Sequence, residues 1–439
     1  MPAGPGHESK GIPIYTPTAW FSDNVRMDAL SQLALIWVGV VVSVFLAKRT
    51  RLTPVLFFLA VGTVYVNLGV LPKEPHAFIR ELAELGIVLI MFAIGFEERI
   101  DTFLESVRRS WGIALFGALA PFFTAYSLTW WFWQDFATSL LCGLAMTATA
   151  VSLTMVALKA EGIGQSVVAT RIMTSAVLDD VASLALVALV VPLAVGGEMP
   201  GLIDVALMLG KVVAFFGLVA VLGAWVLPAS PKAGLDLFNM RQLLSFENGE
   251  YAMLMLLLFA VAIGLLSHAF GFHPAVGAYM AGLIIRDEFF KYGDRPESNH
   301  EELRKVIDGA AFAWIGPVFF VLLGTHLVFD LDKLLLLFPQ ALLLYAALVM
   351  AQISSASLAA RYTAGLDFSQ SVMVGFGMLG RAELAFVVLD IAFVQFGVLS
   401  EDAFYVLMMV AFMLNVSVPL TIRFYKPYYL ADHPDDKLV

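Results

Sequence analysis

The chain has 439 residues, of which 60% are hydrophobic and only 14% are charged, and its formal net charge is −10. Soluble domains carry about 25% charged residues, so this composition excludes an ordinary soluble protein and predicts an all-α polytopic membrane protein. Cys142 is the only cysteine, which excludes an intrachain disulfide. The net negative charge does not indicate a binding partner, because charge in such proteins is confined to loops. We expect contact with membrane lipid and no nucleic acid.

Apolar runs divide the chain into membrane-spanning helices, since one crossing takes about 20 apolar residues. No cleavable signal precedes the first run, so a retained helix is predicted to follow a polar segment at 1–28. A short cytoplasmic tail at 425–439 is expected after the last helix, with no nucleotide-binding domain. The membrane domain, 29–424, is predicted to contain thirteen helices, at 29–47, 52–71, 80–98, 110–133, 136–158, 168–195, 202–227, 250–270, 274–287, 306–329, 334–360, 369–396 and 402–424.

Lysines and arginines in the connections indicate how the chain crosses the membrane. With thirteen crossings, most of the basic residues fall on one side, among them Lys48, Arg49, Arg108 and Arg109. Cytoplasmic loops of membrane proteins carry this kind of positive excess. The predicted orientation therefore has the N-terminus outside and the C-terminus in the cytoplasm.

Two predicted helices are interrupted by polar residues. The fifth contains MTATAVSLT at its midpoint, with Thr147, Thr149 and Ser152. The twelfth contains GFGMLGRAEL, in which three glycines precede Arg381 and Glu383. Broken membrane helices use glycine and hydroxyl side chains because their freed backbone groups must find partners inside the protein. The two segments are seven helices apart and run in opposite directions, which predicts inverted repeats whose two broken helices cross at the bilayer midplane.

Asp179 and Asp180 are the only charged residues between Ile172 and Gly197, in the sixth predicted helix. Near a bilayer centre each carboxylate costs roughly 2.5–3.5 kcal/mol on insertion scales, and a leucine or valine would pack there without that cost. We therefore predict an ion-binding or proton-binding site that needs no cofactor. Carboxylates, threonine oxygens and backbone carbonyls together would form a hard-oxygen site for a dehydrated alkali cation.

Several of these residues also fit roles outside an ion site. The hydroxyls of Thr147 and Thr149 fit bonds to their own helix as well as they fit ion binding. Arg381 and Glu383 fit a structural role, in which they neutralise each other and the ends of the broken helix, better than a functional one. The small residues around Gly282 indicate close helix packing rather than a site.

Six sequence blocks match one transporter family in order and spacing along nearly the whole chain. On these blocks the chain resembles the monovalent cation:proton antiporter-2 family, in particular its sodium/proton exchangers with a paired-aspartate motif. The blocks are ELGIVLIMFAIGFE (84–97), MTATAVSLT (146–154), VLDDVASLA (177–185), GFHPAVGAYMAGLIIRDE (271–288), PVFFVLLG (317–324) and MLGRAELAFVVL (378–389).

The resemblance implies a homodimer with the sodium/proton antiporter fold, in the bacterial inner membrane. A core around 110–195 and 334–424 would carry the bound ion across the membrane as an elevator, against dimerisation helices from the remainder of the chain. By the same resemblance Asp180 is the principal binding carboxylate and Asp179 its neighbour. Thr147 and Thr149 would then lie at the crossing, with Arg381 and Glu383 following the second break.

One position departs from the family pattern. Electrogenic members place a lysine on the helix before the second broken one, where it pairs with the first aspartate, whereas this chain has Gln352 at the matching position. Asp179 is therefore left without an obvious basic partner inside the membrane. We interpret this difference as favouring electroneutral exchange.

The function predicted from these features is Na⁺/H⁺ exchange. Desolvation and a like-charged neighbour both raise the pKa of a carboxylate, so that a proton and a cation compete for it. The alternative on the same fold is K⁺/H⁺ exchange or potassium efflux, although efflux relatives usually carry a nucleotide-binding domain and Gln-Asp in place of Asp-Asp. Sodium-coupled symport of an organic solute and passive conduction are less favoured, because nothing in the sequence indicates a solute cavity. No enzymatic activity is expected.

Overall fold

The computed structural model describes residues 28–50, 52–97, 100–195, 202–227, 240–290, 299–328, 330–381 and 383–434. Within these ranges the regular structure is helical, and one isolated antiparallel pairing joins Thr149 to Arg381. The all-helical prediction is confirmed for this part of the chain.

The described residues up to Leu227 form eight α-helices. Pro54 begins the second of them, where its missing N–H leaves no bond unmade. The Asp135 carboxylate accepts a hydrogen bond from the Thr138 N–H, 2.7 Å away, and so caps the fifth. The helices are α1 (Ala29–Thr50), α2 (Pro54–Asn67), α3 (Ala77–Glu97), α4 (Ile100–Trp133), α5 (Phe136–Ala145), α6 (Val151–Ala160), α7 (Val167–Val195) and α8 (Leu202–Val221).

The described residues from Met240 onward add nine α-helices, several with equally clear start signals. Asp367 and Gln370 form a reciprocal capping box at the start of α15, and the Ser400 hydroxyl caps α17. The helices are α9 (Met240–Leu244), α10 (Ala252–Ala269), α11 (Pro274–Leu283), α12 (Asn299–Asp308), α13 (Gly316–Thr325), α14 (Leu331–Tyr362), α15 (Phe368–Gly377), α16 (Glu383–Asp390) and α17 (Glu401–Asp432).

Several helices are long and apolar enough to cross a bilayer. Among the described residues, seven helices satisfy both conditions, including those at Ala29–Thr50, Leu331–Tyr362 and Glu401–Asp432. Large apolar side chains such as Val41 and Leu336 are exposed on their outer faces. A lipid-facing surface requires such residues, so the chain is an integral membrane protein.

The helices pack in two groups. α4 lies against α5, α7 and α14, and α14 lies in turn against α15 and α17. The other group is centred on α3 and α11, with α10 on α11 and α13 on both α2 and α3. The short helices α5, α6, α15 and α16 all contact the first group, so the interrupted segments lie together.

Several predicted helix ends differ from the structure; the fourth helix begins at Ile100 instead of 110, and the second ends at Asn67 instead of 71. The last helix continues to Asp432 instead of ending at 424, because Tyr429 is wholly buried and Tyr425 packs on Phe376, with ring centroids 5.3 Å apart. Lys426 also pairs with Glu161 at 3.0 Å. The ninth predicted helix, 274–287, ends earlier, at Leu283.

Close backbone contact joins α3 to α11, as predicted around Gly282. A Cβ atom added at Gly282 would overlap the carbonyl oxygen of Phe92, and one added at Gly95 would overlap the carbonyl oxygen of Tyr279. Only glycine permits the two helix backbones to approach this closely.

Gly282→Ala is therefore expected to lower the free energy of unfolding by about 1–3 kcal/mol, because α3 and α11 must separate to admit the methyl group. Gly210→Ala is the matched control, since a Cβ atom at that helical position meets nothing within 4 Å. Thermal unfolding of both variants in detergent measures the difference. Equal midpoints would contradict the packing argument.

Candidate functional site

Two interrupted helices contact each other through their backbones. α5 ends at Ala145 and α6 begins at Val151, while α15 ends at Gly377 and α16 begins at Glu383. In the first gap the N–H of Ala150 donates to the carbonyl oxygen of Gly380 in the second, at 3.0 Å. We call the segments 146–150 and 378–381 the first and second breaks.

The peptide groups freed by the breaks are bonded inside the protein. The Thr154 hydroxyl donates to the Gly377 carbonyl at 2.5 Å and to the Ala150 carbonyl at 3.1 Å. The N–H of Arg381 donates to Oδ1 of Asn415 on α17, at 2.7 Å. Buried backbone groups need such partners because no water reaches them in the bilayer.

Little space is left for a side chain where the breaks touch. A Cβ atom on Gly380 would lie 3.0 Å from Cβ of Ala150 and 3.2 Å from Oδ1 of Asn415, and one on Gly377 would overlap the side chain of Ile172. Gly377, at the end of α15, and Gly380, in the second break, therefore provide space for neighbouring elements. Gly375, Gly377 and Gly380 also fit the GxGxxG pattern of dinucleotide-binding loops, but such a loop follows a β-strand, and no strand precedes them in the described chain.

Asp179 meets the first break from α7. Its side chain is wholly buried, and Oδ2 accepts two hydrogen bonds from Thr149: one from the backbone N–H at 3.0 Å and one from the hydroxyl at 2.6 Å. Oδ1 is buried and has no hydrogen-bond partner among the described residues. One carboxylate oxygen is thus fixed to the break, while the other retains its capacity to accept a proton or to bind a cation.

Thr147, the other threonine predicted at the site, makes a hydrogen bond to its own interrupted helix. The Thr147 hydroxyl donates to the Leu144 carbonyl at 2.7 Å, which is the structural alternative raised from the sequence. It also receives a longer hydrogen bond from Ser183, at 3.4 Å. Sequence reasoning missed Ser183, although its position one turn after Asp179 places both on one face of α7.

Arg381 supplies a buried positive charge beside the breaks. Its side chain is 1% exposed, and Nη2 donates to Oε1 of Gln352 at 3.1 Å. Nε2 of Gln352 donates to the Gly117 carbonyl at 3.1 Å, which fixes the amide. Gln352 thus contacts Arg381 rather than Asp179.

One expectation about this arginine is corrected. The proposed neutralisation of Arg381 by Glu383 is wrong as an ion pair, because the Arg381 guanidinium bonds Gln352 through Nη2, and its Nε and Nη1 have no hydrogen-bond partner among the described residues. Through its backbone Arg381 is paired with Thr149, the residue that bonds Asp179. Glu383 lies instead in the first turn of α16, where a negative charge is favourable to the helix dipole.

Two predicted site residues have side chains outside the described part of the structure. Asp180 follows Asp179 in α7, and Ser152 lies in the first turn of α6. Their predicted roles therefore remain predictions.

Known proteins match this chain along almost its whole length. Residues 35–425 match the family described as sodium/hydrogen exchanger, transmembrane. The Na(+)/H(+)-K(+) antiporter GerN of Bacillus cereus is 24% identical over 400 residues, which cover 91% of this chain and 97% of that protein. A Na(+)/H(+) antiporter of Enterococcus hirae is 23% identical over 91% of this chain and 98% of its own length.

The fold is also shared with a solved transporter. The structure of the sodium proton antiporter MjNhaP1 from Methanocaldococcus jannaschii at pH 8 aligns with a TM-score of 0.67 and 16% identity, covering 92% of this chain and 98% of that one. The narrower resemblance to paired-aspartate members stays a prediction. The extent of the family match identifies the chain as a transporter that belongs to the sodium/hydrogen exchanger family.

Proposed function

We propose that this monovalent cation/proton antiporter exchanges Na⁺ for H⁺ at Asp179 and Asp180. The observation that carries the proposal is the Asp179 carboxylate, which is wholly buried, held through one oxygen by Thr149 and left with an unpartnered second oxygen among the described residues. Relatives named Na(+)/H(+) antiporters support the choice of cargo. By family resemblance Asp180 is retained as the principal binding carboxylate.

Exchange follows from competition for the same oxygens. A carboxylate removed from water is stabilised by whichever positive partner neutralises it, whether a proton or an alkali cation. When the cation binds, the proton must leave, and when a proton binds, the cation must leave. The two neighbouring aspartates titrate as a coupled pair, so the pH dependence of transport belongs to the pair. If only the neutralised site crosses the membrane readily, exchange is obligatory without any covalent step.

Arg381 supports electroneutral exchange. A guanidinium stays protonated in proteins, so this residue cannot give up a proton during the cycle as a lysine can. Its fixed charge balances one carboxylate and leaves one negative charge to be neutralised by one Na⁺ or one H⁺. The hydrogen bond from Arg381 to Gln352 supports this assignment, because Gln352 adds no titratable group.

We further propose the family architecture for the moving parts. Thirteen crossings would place the N-terminus outside and the C-terminus in the cytoplasm of a bacterial inner membrane, with the two broken helices crossing near the midplane. The group that contains α4, α14 and the breaks would move as an elevator against the group around α3 and α11, in a homodimer. The separate packing of the two groups supports this division.

K⁺ is the alternative cargo, because GerN is named for both Na⁺ and K⁺. Proteoliposomes that contain a pH-sensitive dye separate the cases when Na⁺, Li⁺ and K⁺ are added in turn. A pH change with K⁺ alone would identify a K⁺/H⁺ antiporter. Conductance without a cation-driven pH change would indicate a channel.

Asp179→Asn and Asp180→Asn are each expected to abolish Na⁺-driven proton movement, because an amide neither binds a proton nor neutralises a cation. The dye assay measures this directly. Asp332→Asn, at an exposed position in the first turn of α14, is the matched control and should retain the wild-type rate. A variant of either membrane aspartate that exchanges at the wild-type rate would remove that residue from the site.

The proposed charge balance predicts that exchange is insensitive to voltage. With equal K⁺ on both sides, valinomycin clamps the membrane potential at zero. The initial rate of Na⁺-driven pH change should be the same with and without the clamp, since an electroneutral cycle builds no opposing potential. A rate increase of severalfold under the clamp would show net charge movement instead.

Thr149→Val is expected to shift exchange to higher pH, because the ionised form of Asp179 loses a hydrogen bond. Hydrogen bonds to charged groups contribute about 1.5–3 kcal/mol, so the pH of half-maximal exchange should rise by about one unit or more. Thr149→Ser keeps the hydroxyl and should stay close to wild type. Thr421→Val is a second control, since that hydroxyl bonds only its own helix. An unshifted pH profile in Thr149→Val would contradict the role assigned to this bond.

A further inference from the structure

The two breaks are capped by equivalent positions in the two halves of the chain. In the first break the N–H of Thr149 donates to Asp179, which lies 30 residues later on the next long helix, α7. In the second break the N–H of Arg381 donates to Asn415, which lies 34 residues later on the next long helix, α17. Thr149 and Arg381 are themselves paired with each other. Asn415 therefore occupies in the second half the place that Asp179 occupies in the first.

We propose that Asn415 is a positioning residue for exchange and acts as the uncharged counterpart of Asp179. Its carboxamide oxygen accepts a hydrogen bond from the backbone N–H of Arg381. Because the carboxamide is uncharged, it does not compete with Asp179 for the positive charge of Arg381. This inference rests on the proposed function, and it concerns a residue that does not itself bind the transported ion.

The surroundings of Asn415 explain why a neutral acceptor is needed. The side chain is wholly buried, and a Cβ atom on Gly380 would lie 3.2 Å from its Oδ1, so the carboxamide is packed directly against the second break. An apolar residue would leave the N–H of Arg381 without an acceptor. A carboxylate would accept that hydrogen bond but would place a second buried negative charge beside Arg381.

Few titratable groups face this position. The second break contributes Arg381, whose backbone pairs with Thr149, the residue that bonds Asp179. On α14, Tyr345 pairs with the Ser417 hydroxyl at 2.7 Å, and the neutral Gln352 contacts Arg381. Nδ2 of Asn415 is buried and has no hydrogen-bond partner in the described part of the protein, so nothing there favours a charged donor or acceptor.

Asn415→Asp and Asn415→Ala separate the two properties of the residue. Asn415→Asp keeps an acceptor for Arg381 and should assemble normally. It should nevertheless raise the pH of half-maximal exchange by about one unit, because the added charge competes for Arg381 and favours proton retention by the carboxylates. Asn415→Ala keeps the site neutral but loses the acceptor. Its Na⁺ concentration for half-maximal exchange should rise about tenfold, with little change in the pH profile.

Asn67 provides matched controls in the other packing group, where its Nδ2 donates to the Leu327 carbonyl at 2.9 Å. Asn67→Asp and Asn67→Ala should alter thermal stability at most, and leave both the pH profile and the Na⁺ dependence unchanged.

The experiment uses the full-length protein in the dye-loaded proteoliposomes, after gel filtration has established that each variant is monodisperse. Wild-type protein that fails to exchange cations for protons would overturn the proposed function. Wild-type protein that exchanges, together with an Asn415→Asp variant whose pH profile is unmoved, would overturn this inference alone. If Asn415→Ala does not fold, the pH profile of Asn415→Asp still decides the question.

Discussion

The arrangement of the core depends on one constraint: peptide groups freed inside a membrane must be bonded by the protein itself. Each break leaves donors and acceptors that no helix turn satisfies. Ala150 and Gly380 bond each other, Thr154 reaches the Gly377 carbonyl, and Asn415 accepts from Arg381. The small residues at the contact follow from the same requirement, because the two backbones must come within hydrogen-bonding distance.

The same requirement creates the site. The N–H of Thr149 is one of the freed donors, and its acceptor is the carboxylate of Asp179. The proposed ion-binding carboxylate thus also makes a structural bond, so its position is tied to the geometry of the break. Arg381 lies in the opposite break, and in the proposed mechanism its charge compensates that of one carboxylate. Packing and the proposed ion binding therefore depend on a single local arrangement.

Much of this arrangement was predictable from local sequence. The remainder was not predictable, and the reason is physical. Apolar runs and polar interruptions predicted an all-helical chain with membrane-spanning helices and both interruptions, whereas the thirteen crossings and the ion site at Asp179 stay predictions. The contacts of Arg381 with Gln352 and Asn415 join residues about 30 positions apart on different helices, so no periodicity reveals them. The predicted pairing of Arg381 with Glu383 failed because the Arg381 side chain leaves the second break toward Gln352 on α14, whereas Glu383 begins α16.

The two halves of the chain place an acceptor at the same structural position but give it opposite electrical character. Asp179 carries a charge that a proton or a cation can neutralise, whereas Asn415 satisfies the equivalent N–H without titrating. A carboxylate at each of the two positions would have to share the charge of Arg381, and it would enlarge the negative charge to be neutralised in each cycle. In the proposed mechanism, one carboxylate position and one amide position give the two breaks similar hydrogen bonding while the ion chemistry is confined to the side of α7. The proposed exchange site would therefore depend on a difference in charge between two positions that make the same backbone bond.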